Sequence, residues 1–429
     1  MIQLDGGPAR RTAVDRRADR LVAMAAIALA LAFLCAAAVT AFLPASLRLG
    51  TWLPLHLALA GGATTAIAGM MPFFSAAFAT SQPVAARVRW ASVAAVALGA
   101  LLVAAGYVAA TLWLAAVGGS AYLAGIYLTA YATIVPLRRP LARAGGVVTL
   151  GYAASLLLVA VGALLATLLL AGYLPVMQAW GNLRPAHAWL NLVGFVSLVI
   201  ATTLLHFFPT VIGARILRVP SAYLTVLGLA IGTVLVALGF AIRSDWLARA
   251  GALTVLAGAV ALAVYAGQTW RTKSAWTGDA GWHRFAMGGL LSAIAWFEVG
   301  ALVATLRLVV AGADPAAATA TAILGPIVPG WVGLAVLASA SHLVPAVGPG
   351  DPAAHARQRQ SLGRGAEVRL LAANAGIAAL ALGLPLGIHV LIAAGMILAG
   401  VSLGATAALL VAAVAAGLRS AHKGGNLVA

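Results

Sequence analysis

Apolar runs of about 20 residues follow one another along nearly the whole chain, and this constrains the fold more than any other feature. Twelve such runs cover residues 21–43, 52–79, 88–109, 111–135, 146–173, 187–213, 221–242, 248–270, 285–312, 319–345, 367–386 and 389–417. Each is long enough for a helix to cross a bilayer, where a lone segment satisfies its backbone polar groups only as a helix. With 63% of the 429 residues hydrophobic and 8% charged, a surface facing water could not be covered. The expectation is an all-α polytopic membrane protein with twelve transmembrane helices and the lipid bilayer as its principal partner. Residues 21–417 form a single membrane domain, with short tails at 1–20 and 418–429 and no soluble domain.

The net charge of +17 invites a nucleic-acid reading, which the placement of the basic residues excludes. If the N-terminus is cytoplasmic, 21 of the 26 Lys and Arg residues fall on the cytoplasmic side, and only Arg48, Arg184, Arg243, Arg249 and Arg307 fall outside. This positive-inside pattern predicts cytoplasmic termini in the inner membrane, with some affinity for anionic headgroups. Arginines before the first apolar run also fit a cleaved signal peptide, but that run is too long for one. Cys35 is the sole cysteine, so disulfides, thiolate zinc sites and iron–sulfur clusters are excluded within the chain.

The chain repeats itself. Pro72, Pro209 and Pro345 are expected to close helices two, six and ten at near-equal intervals, and GFVSL from Gly194 is similar to GWVGL from Gly330. Helices five and nine share VGALLATLLL from Val161 and VGALVATLRL from Val299. Helices three, seven and eleven each carry two glycines seven apart: Gly99 and Gly106, Gly232 and Gly239, Gly376 and Gly383. The pattern predicts three pseudo-symmetric four-helix units, at about 21–140, 141–275 and 282–417, with the glycines allowing close helix approach. The segment 173–186 reads as an outer loop anchored by Trp180, and 346–366 as a solvated loop.

Ionisable and ligating side chains within membrane spans are functional candidates. His56 lies near the outer end of helix two, and His187 and His389 start helices six and twelve outside; Asn191 is one turn below His187 on the same face. Neutral imidazoles there suit heme iron or copper. His206 and His342 lie at equivalent inner positions, with Met70 and Met71 near the corresponding place on helix two, a donor set suited to Cu(I) or heme. The rise of about 1.5 Å per residue separates His187 from His206 by about 28 Å, so they cannot share one metal. The alternative is that these histidines bond to backbone or to Thr202 and Ser339 and stabilise helix contacts. Glu298 is the one acid in the middle of a span, and Arg307 is about 13 Å along the same helix. Glu298 is a candidate proton or ion relay. No nucleotide-binding loop or serine-hydrolase elbow is present.

Twelve helices in three arcs, with the stretch HAWLNLVGFVSLVIATTLLHFFP from His187 to Pro209 and the pattern from His56 to Gly61 and Gly62, resemble subunit I of the heme-copper oxidase superfamily. The likeness is to its divergent NnrS-like members. The resemblance implies heme b, copper or both, with His56 as a helix-two heme ligand and His187 as a helix-six copper ligand. It also implies electron transfer or nitrogen-oxide and copper metabolism, an extracytoplasmic cupredoxin or cytochrome as electron donor, and homo- or hetero-oligomeric assembly. Helix seven has no histidine, nor has the outer half of helix ten, so a conventional dioxygen-reducing centre cannot be assembled. A heme would use another pairing, such as His56 with His187 or His389. The alternative is a transporter or structural subunit without a redox cofactor, in which Glu298 and the prolines line a pathway.

Overall fold

The computed structural model describes residues 13–138, 146–278, 283–315 and 321–425. Residues 1–12, with Arg10 and Arg11, and 426–429 of the expected tails lie outside the described residues, as do Arg139 and Arg143. Among those described there is no β-strand, and twelve helices are long and apolar enough to cross a membrane. They are α1 (Leu21–Ala41), α2 (Trp52–Phe78), α3 (Ala86–Val108), α4 (Leu112–Leu137), α5 (Gly146–Leu170) and α6 (Leu174–Val211). The others are α7 (Pro220–Ala241), α8 (Asp245–Trp270), α9 (His283–Ala311), α10 (Ile323–Val347), α11 (Ala366–Leu386) and α12 (His389–Ser420). Helical backbone precedes α1 from Ala13 and continues α12 to Gly425.

The described residues form two compact units: one holds α1–α4 with Val159–Met177, the other Gly146–Leu158 with everything from Gln178 onward. Within them, three helical hairpins share one register. A Cβ on Gly99 would lie 2.5 Å from the Tyr122 amide nitrogen, one on Gly232 2.7 Å from that of Val255, and one on Gly376 2.4 Å from that of Ala399. Each partner is 23 residues further along. The second glycines repeat this: Gly106 faces the Ala115 nitrogen at 2.5 Å, Gly239 that of Ala248 at 2.6 Å and Gly383 that of Ile392 at 2.9 Å. Lipid supplies no hydrophobic drive to helix pairing, so these backbone-to-backbone approaches supply the dispersion that closes α3 on α4, α7 on α8 and α11 on α12.

Four expectations are corrected. Residues 174–186 are helical rather than a loop, because Gly172 ends α5 with a left-handed φ of +76° and Leu174–Pro175 starts a new helix, where proline's missing N–H costs nothing. His187 is therefore not the start of α6 but lies 13 residues inside it. Pro72 does not close α2, which runs to Phe78, since neighbouring residues in a membrane helix re-satisfy the backbone groups that a proline frees.

The expected loop at 346–366 contains a helix, Pro352–Gly363, whose Ala354, Gln358 and Leu362 are buried. Gln358 Nε2 donates to Pro349 O at 3.0 Å and to Ala413 O of α12 at 2.9 Å, fastening this helix to the membrane domain. Asp351 caps its first turn, accepting from the Ala354 amide at 2.6 Å and from the Ser420 hydroxyl at 3.0 Å. These donors hold the Asp351 carboxyl below its ordinary value of 3.8, the Ala354 amide contributing most. A depressed carboxylate stabilises the fold above its unfolded pKa, and that contribution disappears as pH falls through the folded value. Amide protection in 352–363, taken relative to the intrinsic exchange rate at each pH, is therefore expected to fall below about pH 4, and Asp351→Asn, which keeps a capping oxygen, is expected to remove that fall. Equal acid sensitivity in both proteins would contradict this role for Asp351.

Candidate functional site

Three of the spans contain a π-helical turn: Leu57–Ala63 in α2, Leu192–Ser197 in α6 and Pro326–Gly333 in α10. They start at intervals of 135 and 134 residues. The local cause is legible in each. Thr64 Oγ1 donates to Leu59 O at 3.0 Å and Ser197 Oγ to Leu192 O at 2.8 Å, each reaching back five residues to a carbonyl that the widened turn presents. In α10, Pro326 and Pro329 lack the N–H that an α-turn needs. Turns of this kind are rare and concentrate at functional sites.

His56 sits immediately before the first π-turn. Its Nδ1 is 2.9 Å from the Trp52 carbonyl oxygen, which can only accept, so the neutral ring carries its proton on Nδ1 and its lone pair on Nε2. Its ring stacks on Trp52 with centroids 4.1 Å apart, and Trp52 in turn lies 4.3 Å from Tyr107 of α3. Sequence reasoning missed this aromatic support, although Trp52 stands one helical turn before His56.

His187 and Asn191 are joined as the i,i+4 spacing predicts, with the opposite result for the ring. Asn191 Nδ2 donates to the His187 carbonyl at 2.6 Å and lies 3.2 Å from its Nδ1. The ring Nδ1 therefore accepts and Nε2 carries the proton. Coordination through Nε2 would require that proton to move and Asn191 to turn. Trp180, on the helical extension, lies 5.8 Å from the His187 ring. His389 is exposed at the start of α12.

Of the inner residues, Met71 is buried, whereas Met70, His206 and His342 are half-buried. The His342 ring meets Phe207 edge-on at 5.6 Å, which brings α10 against α6 beside His206. The Thr202 hydroxyl, the expected partner of His206, makes no hydrogen bond among the described residues. Among the described residues, no three His, Cys, Asp or Glu side chains come close enough to hold a metal ion. Buried Trp331, on the third π-turn, stacks on Phe297 at 4.6 Å and was not singled out by its sequence context. The chain matches no protein-family model and no curated protein.

Proposed function

We propose that the chain is a heme-binding integral membrane protein of electron transfer, with His56 as an axial ligand through Nε2. The observation that carries this is the His56 Nδ1–Trp52 carbonyl bond, since ligating histidines characteristically donate their other ring N–H to such an acceptor. A heme brings four nitrogens of its own and asks the protein for only one or two axial side chains, so it does not require the three-residue metal cluster that is absent among the described residues. When bound, it would supply reversible one-electron transfer. Trp52 and Tyr107 would hold the imidazole in orientation and exclude water from it.

The finer parts of the reading are proposed with it: cytoplasmic termini in the inner membrane, an extracytoplasmic cupredoxin or cytochrome donor, copper at the inner histidine and methionine set, and three four-helix units. The shared hairpin register and the evenly spaced π-turns support the last of these. Protein purified from a heme-replete host is expected to show a Soret band, and His56→Ala is expected to lose it while remaining monodisperse. A colourless preparation without heme or copper would overturn the proposal. The rival reading, a transporter without redox cofactor, draws on the π-turns interrupting α2, α6 and α10, and it would take over if such a colourless protein carried a measurable flux.

A further inference from the structure

We propose that Glu298 is a proton-binding site in the middle of the membrane, a carboxyl that takes up and releases H⁺ without a metal or cationic side chain as partner. It rests on the transmembrane architecture alone, so it can fail or hold independently of the heme proposal.

Glu298 lies 15 residues from one end of α9 and 13 from the other, about 20 Å from each by helical rise. It shares a helical stripe with Ile294, Ala301 and Thr305, all three buried. The Thr305 hydroxyl donates to Ala252 O of α8 at 3.0 Å, which turns the stripe toward α8. At the level of Glu298, α8 offers Val255, Ala259 and Leu262, all buried and apolar. Glu298 Oε1 is buried without a hydrogen-bond partner among the described residues.

Apart from Tyr265 of α8, whose hydroxyl donates to Leu205 O, the charged and titratable groups on the helices packed against α9 stand toward its ends, and Arg307 of α9 itself is about 13 Å from Glu298 along the axis. Asp245 and Arg249 are near the Val309 end, where Arg249 Nε donates to Val309 O at 3.0 Å. Glu367 and Arg369 are near the His283 end, where Arg284 pairs with Glu367. His206, His342 and the side chains of Pro352–Gly363 also stand toward the His283 end. A carboxylate at the centre of α9 would therefore be an uncompensated charge in hydrocarbon, a state that proteins avoid by keeping the group neutral. A metal cation would need several oxygen ligands, whereas a proton needs one.

The test uses dicyclohexylcarbodiimide, an apolar reagent that enters membranes. A neutral carboxylic acid adds across it: the acid proton goes to one nitrogen, the carboxyl oxygen bonds the central carbon, and the adduct rearranges to a stable acylurea with no leaving group. Full-length protein in detergent is labelled between pH 6 and 9 and mapped by peptide mass spectrometry. The expected result is an adduct on Glu298 that falls at least tenfold across this range, persists in Glu298→Asp and is absent in Glu298→Gln. No adduct in folded wild-type protein, labelling independent of pH, or protection by Na⁺, which would make this a cation site, would each overturn the proposal.

Discussion

Gly232→Leu is expected to prevent α7 and α8 from closing, costing about 3 kcal/mol or more. A Cβ at this position already falls 2.7 Å from both the Val255 amide nitrogen and its Cγ2, with the Gly251 carbonyl oxygen at 2.8 Å. The obstacle is mostly backbone, so no rotamer relieves it and the helices must separate along their length. Gly99→Leu and Gly376→Leu are expected to do the same to their own hairpins. Gly400→Leu is the contrast: nothing lies within 4 Å of a Cβ there, on an exposed face of α12, and no loss is expected. Thermal unfolding of the purified variants in one detergent separates these outcomes. Equal melting of Gly232→Leu and wild type would contradict the close approach.

Arg369→Ala is expected to cost about 3 kcal/mol and to expose residues 346–366 to protease. The guanidinium donates to Leu362 O at 2.6 Å, Arg364 O at 3.2 Å and Thr406 Oγ1 at 2.7 Å, and it lies 4.6 Å over the Phe285 ring. One buried side chain thus ties the end of the helix Pro352–Gly363 to α9, α11 and α12. Lysine is expected not to rescue, because an ammonium cannot serve three acceptors placed for a planar fork. The nearby Arg284–Glu367 ion pair makes a useful comparison. Its side chains are 41% and 74% exposed, so Glu367→Gln should change stability by less than about 1 kcal/mol. If both variants melt alike, the buried network is not what fastens this helix.

The spans were legible in the sequence because transfer into hydrocarbon depends on run length and composition, which need no tertiary knowledge. The hairpin glycines were legible for a related reason: paired small residues repeated at one spacing have few uses in a membrane other than close packing. What escaped was backbone geometry fixed by single side chains. The helix at 174–186 is polar enough to pass for a loop, and Pro185 within it suggests a break that α6 does not make. The helix Pro352–Gly363 hid because its buried face depends on Gln358 and on a partner some fifty residues away, Ala413. At the candidate site, the sequence pointed to His56, His187 and Asn191, and the i,i+4 contact of the last two was legible from their spacing. The opposite placement of their ring protons depends on whether a carbonyl or an amide stands beside Nδ1, which spacing does not encode.

The π-turn in α6 alters how this helix is to be compared with others. Such a turn takes up about one residue more than an α-turn, so the residues before Leu192 and after Ser197 are out of phase by about 100° relative to a continuous wheel. His187 and His206 cannot be assigned to faces by counting between them, and an alignment that places this stretch against an uninterrupted helix needs a one-residue gap at 192–197. The same offset applies across 57–63 and 326–333. Mutational scans of α2, α6 and α10 therefore divide into two independent periodicities, one on each side of the widened turn.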